Sequence, residues 1–200
     1  METINIQTTR SINSLIALMI LLVLAAFTHH AQGQTTYKIA AGSQIKVSGT
    51  SNMHDWNMLA SNFNCQANFV MKNGDLQDVS TLTFTLPVSN LKSKDKLMDT
   101  RAYKALNEEK YKTISFKLTD ATVVSNQNII KATGQLTISG VTKPVTIQTA
   151  YVVNADESIT YKGSKSIKMS SHDVKAPSFM MGALKTGDDV TIDILLQLKK

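Results

Sequence analysis

Apolar and polar residues alternate along most of this chain, and this period of two limits its fold more than any other feature. The stretch FNCQANFVM at residues 63–71 is one example, because Phe63, Cys65, Ala67 and Phe69 fall on one side of an extended strand. Comparable runs occupy residues 82–88, 114–118, 130–138, 145–153 and 190–198. Strands with one apolar face are typical of antiparallel sheets. The alternation therefore predicts an all-β fold.

The number of alternating segments indicates whether the sheet keeps free edges or closes on itself. Two early segments, YKIA and SQIKVSG, bring the total to eight or nine strands. A sheet of this size removes its exposed edges when it closes on itself. We therefore expect an eight-stranded antiparallel β-barrel. The strands of Tyr151 and Tyr161 leave open which face turns inward, because tyrosine serves either side.

One segment, KDKLMDTRAYKAL at residues 94–106, breaks the alternation. Ser93 precedes it as a suitable N-cap. The segment predicts one amphipathic α-helix inserted between strands, with its Leu97/Met98 edge over the barrel mouth or a gap in the wall. The apolar residues at helical spacing are Leu97, Met98, Ala102, Ala105 and Leu106.

The first 33 residues have the pattern of a secretory signal peptide. Arg10 precedes the apolar run LIALMILLVLAAF at residues 15–27, and the small residues Ala31 and Gly33 follow. A spanning helix needs roughly 20 apolar residues, so this run is short for a membrane anchor. We expect cleavage after Gly33, with an uncleaved anchor as the alternative. Residues 34–200 then form one domain, in the periplasm or outside the cell.

Charge and cysteine content exclude several classes of function. The formal net charge is +6, and the lysines are scattered through the alternating segments. Such lysines favour a solvated exterior and transient contact with an anionic membrane surface. No basic stripe interleaved with aromatic residues indicates nucleic-acid binding. Cys65 is the only cysteine, and its apolar strand face predicts a buried, unreactive thiol.

Few residues have the chemistry of a catalytic or metal site. After the leader, the only histidines are His54 and His172, each followed by an aspartate. Neither has metal-ligand spacing, and no G-x-S-x-G nucleophile motif is present. We therefore predict no catalytic residue, metal site or cofactor. An enzyme that uses His54 or His172 as acid or base is the alternative.

Two irregular segments are candidates for ligand contact. In GTSNMHDW, at residues 49–56, the polar residues favour a bend between strands with Trp56 turned inward. His54 beside a polar head group is the second interpretation. In APSFMMGALKTGDD, at residues 176–189, Phe179, Met180 and Met181 form either an adaptable apolar contact surface or a plug of core side chains.

The chain resembles the YceI-like family of secreted polyisoprenoid-binding proteins. Besides GTSNMHDW, the resemblance rests on LKSKDKLMDTRAYKALNEEKYKTISFKL at residues 91–118, GQLTISGVTKPVTI at 134–147 and PSFMMGALKTGDDVTIDILLQL at 177–198. It implies a lipocalin-like barrel whose apolar interior holds a polyisoprenoid or an isoprenoid quinone. The family usually has a proline where this chain has Lys112.

Together, these observations predict a lipid-binding protein with no enzymatic activity. Specificity for the head group would come from a few polar residues at the mouth, with His54 as the candidate. A fully packed structural or stress-related module is a further alternative. The sequence does not indicate the oligomeric state. The residues expected to contact the ligand are Trp56, Phe69, Phe84, Leu86, Leu97, Met98, Phe116, Leu136, Ile138, Phe179, Met180 and Met181.

Overall fold

The structure, a computed structural model, describes residues 34–200, with the side chains of Gln34, Phe179 and Met180 outside that description. The predicted signal peptide, residues 1–33, lies outside the described residues. Within residues 34–200, no helix is long and apolar enough to cross a membrane.

Eleven strands and one α-helix form within residues 34–200. The helix, α1 (Lys96–Ala105), lies between the fifth and sixth strands. Short 3-10 turns cover Val88–Asn90, Ser125–Gln127, Met169–His172 and Met180–Gly182. The strands are β1 (Gln34–Ile39), β2 (Gln44–Ser51), β3 (Trp56–Ala60), β4 (Asn64–Lys72), β5 (Asp75–Pro87), β6 (Thr113–Val124), β7 (Ile129–Ile138), β8 (Val141–Val153), β9 (Ile159–Lys168), β10 (Ser178–Phe179) and β11 (Leu184–Lys199).

Eight of the strands close into a ring. The order β1-β4-β5-β6-β7-β8-β9-β11 returns to β1 through the pairs Lys38 with Lys199 and Ile39 with Leu198. The pairings around this ring are antiparallel. Strand β2 pairs with the same edge of β11, and β3 pairs with β2. The predicted all-β class, the eight-stranded antiparallel ring and the single inserted helix are confirmed.

The alternation in sequence becomes an inside and an outside of the ring. In β4, Cys65, Ala67 and Phe69 are buried, whereas Asn64 and Gln66 are exposed. Burial in this apolar setting raises the pKa of the Cys65 thiol to about 12, because the thiolate would lose its hydration. The predicted burial of the Cys65 thiol is confirmed.

The two ends of the ring differ. At one end three hairpins join β4 to β5, β6 to β7 and β8 to β9, and aromatic rings fill the interior. The Phe69 ring centroid lies 4.8 Å from that of Tyr37 and 5.9 Å from that of Tyr161. We call these three side chains the floor. The opposite end, the mouth, carries α1, the β2–β3 bend and the connection from β9 to β11.

Both tyrosines whose direction the sequence left open point into the ring. Tyr151 and Tyr161 are each 5% exposed. The Tyr161 hydroxyl is buried and has no hydrogen-bond partner among the described residues. Burial raises the pKa of this phenol well above its usual value, since the phenolate would have to form away from water.

Helix α1 begins later than the sequence predicts. Its N-cap is Asp95, whose carboxylate accepts a hydrogen bond from the Leu97 backbone N–H at 2.8 Å. The prediction of Ser93 as the cap is wrong. Both the backbone N–H and the hydroxyl of Ser93 donate to the buried Asp99 carboxylate at 2.7 Å, which ties the preceding loop to the helix instead.

Removal of two tyrosine hydroxyls, one at a time, should change the free energy of unfolding in opposite directions. Replacing Tyr161 by Phe removes a buried hydroxyl without a partner, so the free energy of unfolding should stay the same or rise by up to about 1 kcal/mol. In contrast, the Tyr103 hydroxyl donates toward Leu91 O at 2.7 Å and accepts from Lys92 Nζ at 2.8 Å. Tyr103→Phe should lower the free energy of unfolding by about 1–2 kcal/mol.

Urea denaturation followed by circular dichroism measures both changes, and Tyr103→Phe serves as the matched control. An equal loss of stability in the two variants would show that the Tyr161 hydroxyl has a partner.

Candidate ligand-binding cavity

The ring encloses a cavity of about 400 Å³ between the floor and the mouth. This volume falls within the usual range of small-molecule sites, roughly 300–1,000 Å³. The alternative of a structural or stress-related module with a fully packed interior is therefore wrong on the packing of this interior. Eight of the predicted ligand-contact residues line the cavity: Trp56, Phe69, Phe84, Leu86, Met98, Phe116, Leu136 and Ile138.

The wall of the cavity is aromatic on one side. Phe84 of β5 lies opposite Phe116 of β6, and Phe116 lies opposite Leu136 of β7. The Phe84 ring also packs at a tilt against Phe63, with 5.3 Å between their centroids. This row crosses three neighbouring strands, which gives a ligand chain one continuous apolar surface.

The strand β9 gives the depth of the cavity. Tyr161, at the floor, and Ile167, near the mouth, both line it. At about 3.3 Å per residue and a tilt of about 40°, their separation corresponds to a depth of roughly 15 Å. A slender apolar chain fits this shape.

Leu97 and Met181 lie outside the cavity, contrary to expectation. Leu97 is 54% exposed, because the helix turns a different stripe inward, which includes Met98, Ala102 and Leu106. Met181 is fully exposed in a turn where its own φ is 54°. The predicted contacts of the Phe179 and Met180 side chains lie outside the described residues.

The polar residues of GTSNMHDW shape the bend between β2 and β3. The Ser51 hydroxyl accepts from the backbone N–H of His54 at 3.1 Å and donates to the His54 carbonyl at 2.7 Å. The Asn52 side chain donates to Ala183 O at 2.7 Å and accepts from Lys185 N–H at 3.0 Å. The amide therefore joins the bend to the start of β11. The interpretation of this motif as a structural bend is confirmed.

Trp56 lies at the mouth with its ring on the backbone of the neighbouring strand. Its cross-strand partner is Gly49, and a Cβ atom there would overlap the indole ring. The indole N–H donates to Thr50 O at 3.1 Å. A glycine at this position thus lets the only tryptophan of the chain line the cavity while its polar atom stays paired.

The two histidines of the described residues line the cavity, but neither bonds the side-chain carboxylate of the aspartate that follows it in sequence. His54 is exposed, and its Nδ1 lies 3.0 Å from the backbone oxygen of Asp55. His172 is buried, with its Nδ1 3.1 Å from Val141 O. Within residues 34–200, no group of three or more His, Cys, Asp or Glu side chains is arranged to hold a metal ion.

The charged residues of the cavity lining, among them Lys165 of β9, were not predicted from the sequence. The sequence left open whether the Tyr161 face of this strand turns inward or outward. Counting in twos from Tyr161 places Gly163 and then Lys165 on that face, so the signal was present in the sequence. The structure confirms this geometry, because Lys165 lines the cavity.

Comparisons with known structures agree on the fold. BcnA of Burkholderia cenocepacia is 21% identical, with a TM-score of 0.63 over 76% of this chain and 95% of its own. A polyisoprenoid-binding domain from Saccharophagus degradans, implicated in plant cell wall breakdown, is 9% identical, with a TM-score of 0.62 over 84% and 99%. A YceI protein of Campylobacter jejuni is 19% identical, with a TM-score of 0.55 over 70% and 84%.

A search of curated proteins found no match. In contrast, the family model described as the YceI-like domain matches residues 37–198, which span all the strands of the ring. The same residues carry the aromatic floor, the cavity wall and the bend at Trp56. The chain therefore belongs to the YceI-like family.

Proposed function

We propose that this protein binds a lipid and holds its apolar chain in the cavity of the ring. The observation that carries the proposal is the cavity itself, which is apolar over most of its wall and about 400 Å³ in volume. Unfilled apolar space of this size costs stability, because the lining atoms lose their packing partners. An apolar chain restores those contacts and leaves water at the same time.

We further propose that the lipid is an isoprenoid, either a polyisoprenoid or an isoprenoid quinone. Membership of the YceI-like family supports this choice, and so does the fold shared with the polyisoprenoid-binding domain of Saccharophagus degradans. The proposed role is binding and transfer and not catalysis. His54, at the mouth, is the candidate to donate a hydrogen bond to the head group.

The pattern of residues 1–33 supports secretion of residues 34–200 to the periplasm or outside the cell. In such a compartment a carrier would exchange its lipid with membranes. Three of the exposed large apolar side chains lie in mouth segments: Met53, which is 66% exposed, Leu97 and Met181. We propose that these residues touch the bilayer surface while the mouth is open to it, aided by the net positive charge of the chain.

Lipid uptake is directly measurable, because Trp56 is the single tryptophan and lines the cavity. Titration with geraniol, farnesol and geranylgeraniol should shift Trp56 fluorescence to shorter wavelength as water leaves the cavity. Each buried methylene contributes roughly 0.8 kcal/mol, so farnesol should bind at least about tenfold more tightly than geraniol.

Replacement of an alanine by phenylalanine at two positions, one inside the ring and one outside, locates the binding site for these alcohols. Ala132 lines the cavity, and Ala132→Phe should fill it and weaken farnesol binding by about tenfold or more. Ala150→Phe is the matched control, since Ala150 is exposed on the adjacent strand and should leave binding unchanged. Thermal unfolding checks that both variants fold. Farnesol binding that survives in a folded Ala132→Phe protein would place the ligand elsewhere.

The proposed membrane contact leads to a separate prediction for binding to lipid vesicles. Replacing Met53, Leu97 and Met181 together by Ser should reduce co-flotation with vesicles of phosphatidylglycerol and phosphatidylcholine by several-fold, because the mouth loses its apolar contacts with the bilayer. Val152→Ser is the control, since Val152 is 58% exposed but lies near the hairpin of β8 and β9, at the opposite end. Equal loss in the two proteins, or no loss in either, would contradict contact through the mouth.

A further inference from the structure

Strand β9 turns one lysine toward the inside of the ring. Lys162 and Lys168 are exposed on its outer face, whereas Lys165 is only partly exposed and alternates with Tyr161 and Ile167 on the inner face. Lys165 and its two inner neighbours all line the cavity. The Lys165 side chain is therefore part of a wall that is largely apolar.

The side-chain ammonium of Lys165 has no hydrogen bond and no ion pair among the described residues. Its outward neighbour Lys168 differs, because the Lys168 ammonium lies 3.3 Å from the Asp189 carboxylate. Asp95 is the one carboxylate among the described residues that line the cavity, and it caps helix α1 by accepting the Leu97 N–H. The cavity therefore supplies no free carboxylate for the Lys165 ammonium. A charge at an apolar wall without a partner is unfavourable.

The position of Lys165 fits a head group better than a chain. It pairs with Ile192, three residues before β9 ends at Lys168, which is roughly 10 Å of strand below the mouth. Tyr161, at the floor, lies four residues farther in the other direction, or roughly 13 Å. Two further cations, Arg101 and Lys185, also line the cavity. Lys165 thus lies between the mouth and the aromatic floor.

We propose that Lys165 binds the anionic head group of an amphiphile whose apolar chain extends to the floor. The shared chemistry is an oxyanion, a carboxylate or a phosphate, at the end of one long chain. A charge-assisted hydrogen bond inside a low-dielectric cavity is short and strong, so this contact selects anionic over neutral lipids of equal chain length. The inference rests on the proposed function, because it requires a chain in the cavity.

Pairs of ligands with the same chain and different head groups distinguish the contribution of the head group to binding from that of the chain. The wild-type protein should bind farnesyl phosphate about tenfold or more tightly than farnesol, and dodecanoate similarly more tightly than dodecanol. Isothermal titration calorimetry gives all four affinities. Lys165→Met should reduce each preference to below about threefold, because methionine keeps an unbranched apolar side chain one atom shorter but carries no charge, while binding of farnesol is retained.

Two control variants lie on the same strand. Lys162→Met removes an outward-facing lysine and should keep the full preference, and Lys165→Arg should keep it because the charge remains. A preference in only one ligand pair supports the proposal and identifies the oxyanion as phosphate or carboxylate.

Three results would overturn the inference. Equal affinity of wild type for the anionic and neutral members of both pairs would remove the selectivity, and an unchanged preference in Lys165→Met would assign it to another residue. In both cases binding of farnesol would leave the proposed function intact. If none of the four ligands binds, the proposed function fails and this inference fails with it.

Discussion

Two residue pairs, Lys38 with Lys199 and Ile39 with Leu198, join the first strand to the last, and the rest of the structure depends on this joint. Strand β11, with 16 residues, pairs with β9 on one edge and with β2 and β1 on the other. Without the joint, the edge of β1 would be open to pairing with other chains, and the ring of eight strands would no longer close. Leu198, fully buried, anchors the closure from inside.

The closed ring is solid at one end and hollow at the other, and this asymmetry gives the cavity a direction. Tyr37, Phe69 and Tyr161 fill the floor with rings that touch one another. Above them, smaller side chains such as Ala132 and Val47 leave space between facing walls. Protein interiors are normally close-packed, so a retained apolar hollow indicates a ligand that fills it. Under the proposed function, a lipid chain would enter at the mouth, where Trp56, α1 and the histidines lie.

Most of the fold is readable from the sequence, because the inner face of most strands follows from the alternation; β8 and β9, with Tyr151 and Tyr161, are the exceptions. The inner set of β4 and the aromatic row of Phe84 and Phe116 were predicted on this basis. The sequence was less informative where local hydrogen bonds compete, as at Ser93, which bonds Asp99 while Asp95 caps the helix. Leu97 was misplaced because helical spacing identifies an apolar stripe but not which edge of it packs inward. Lys165 was missed because a lysine was assumed to face water.

We propose that the apolar hollow inside the ring takes up a lipid chain. A crystal structure of the protein soaked with a bromine-labelled prenyl alcohol tests it most directly, because anomalous scattering locates the bromine without reference to the side chains. Our account predicts a bromine peak inside the ring, between Trp56 and the Phe69 floor. Side chains packed across the interior, with bromine peaks only on the outer surface, would contradict it.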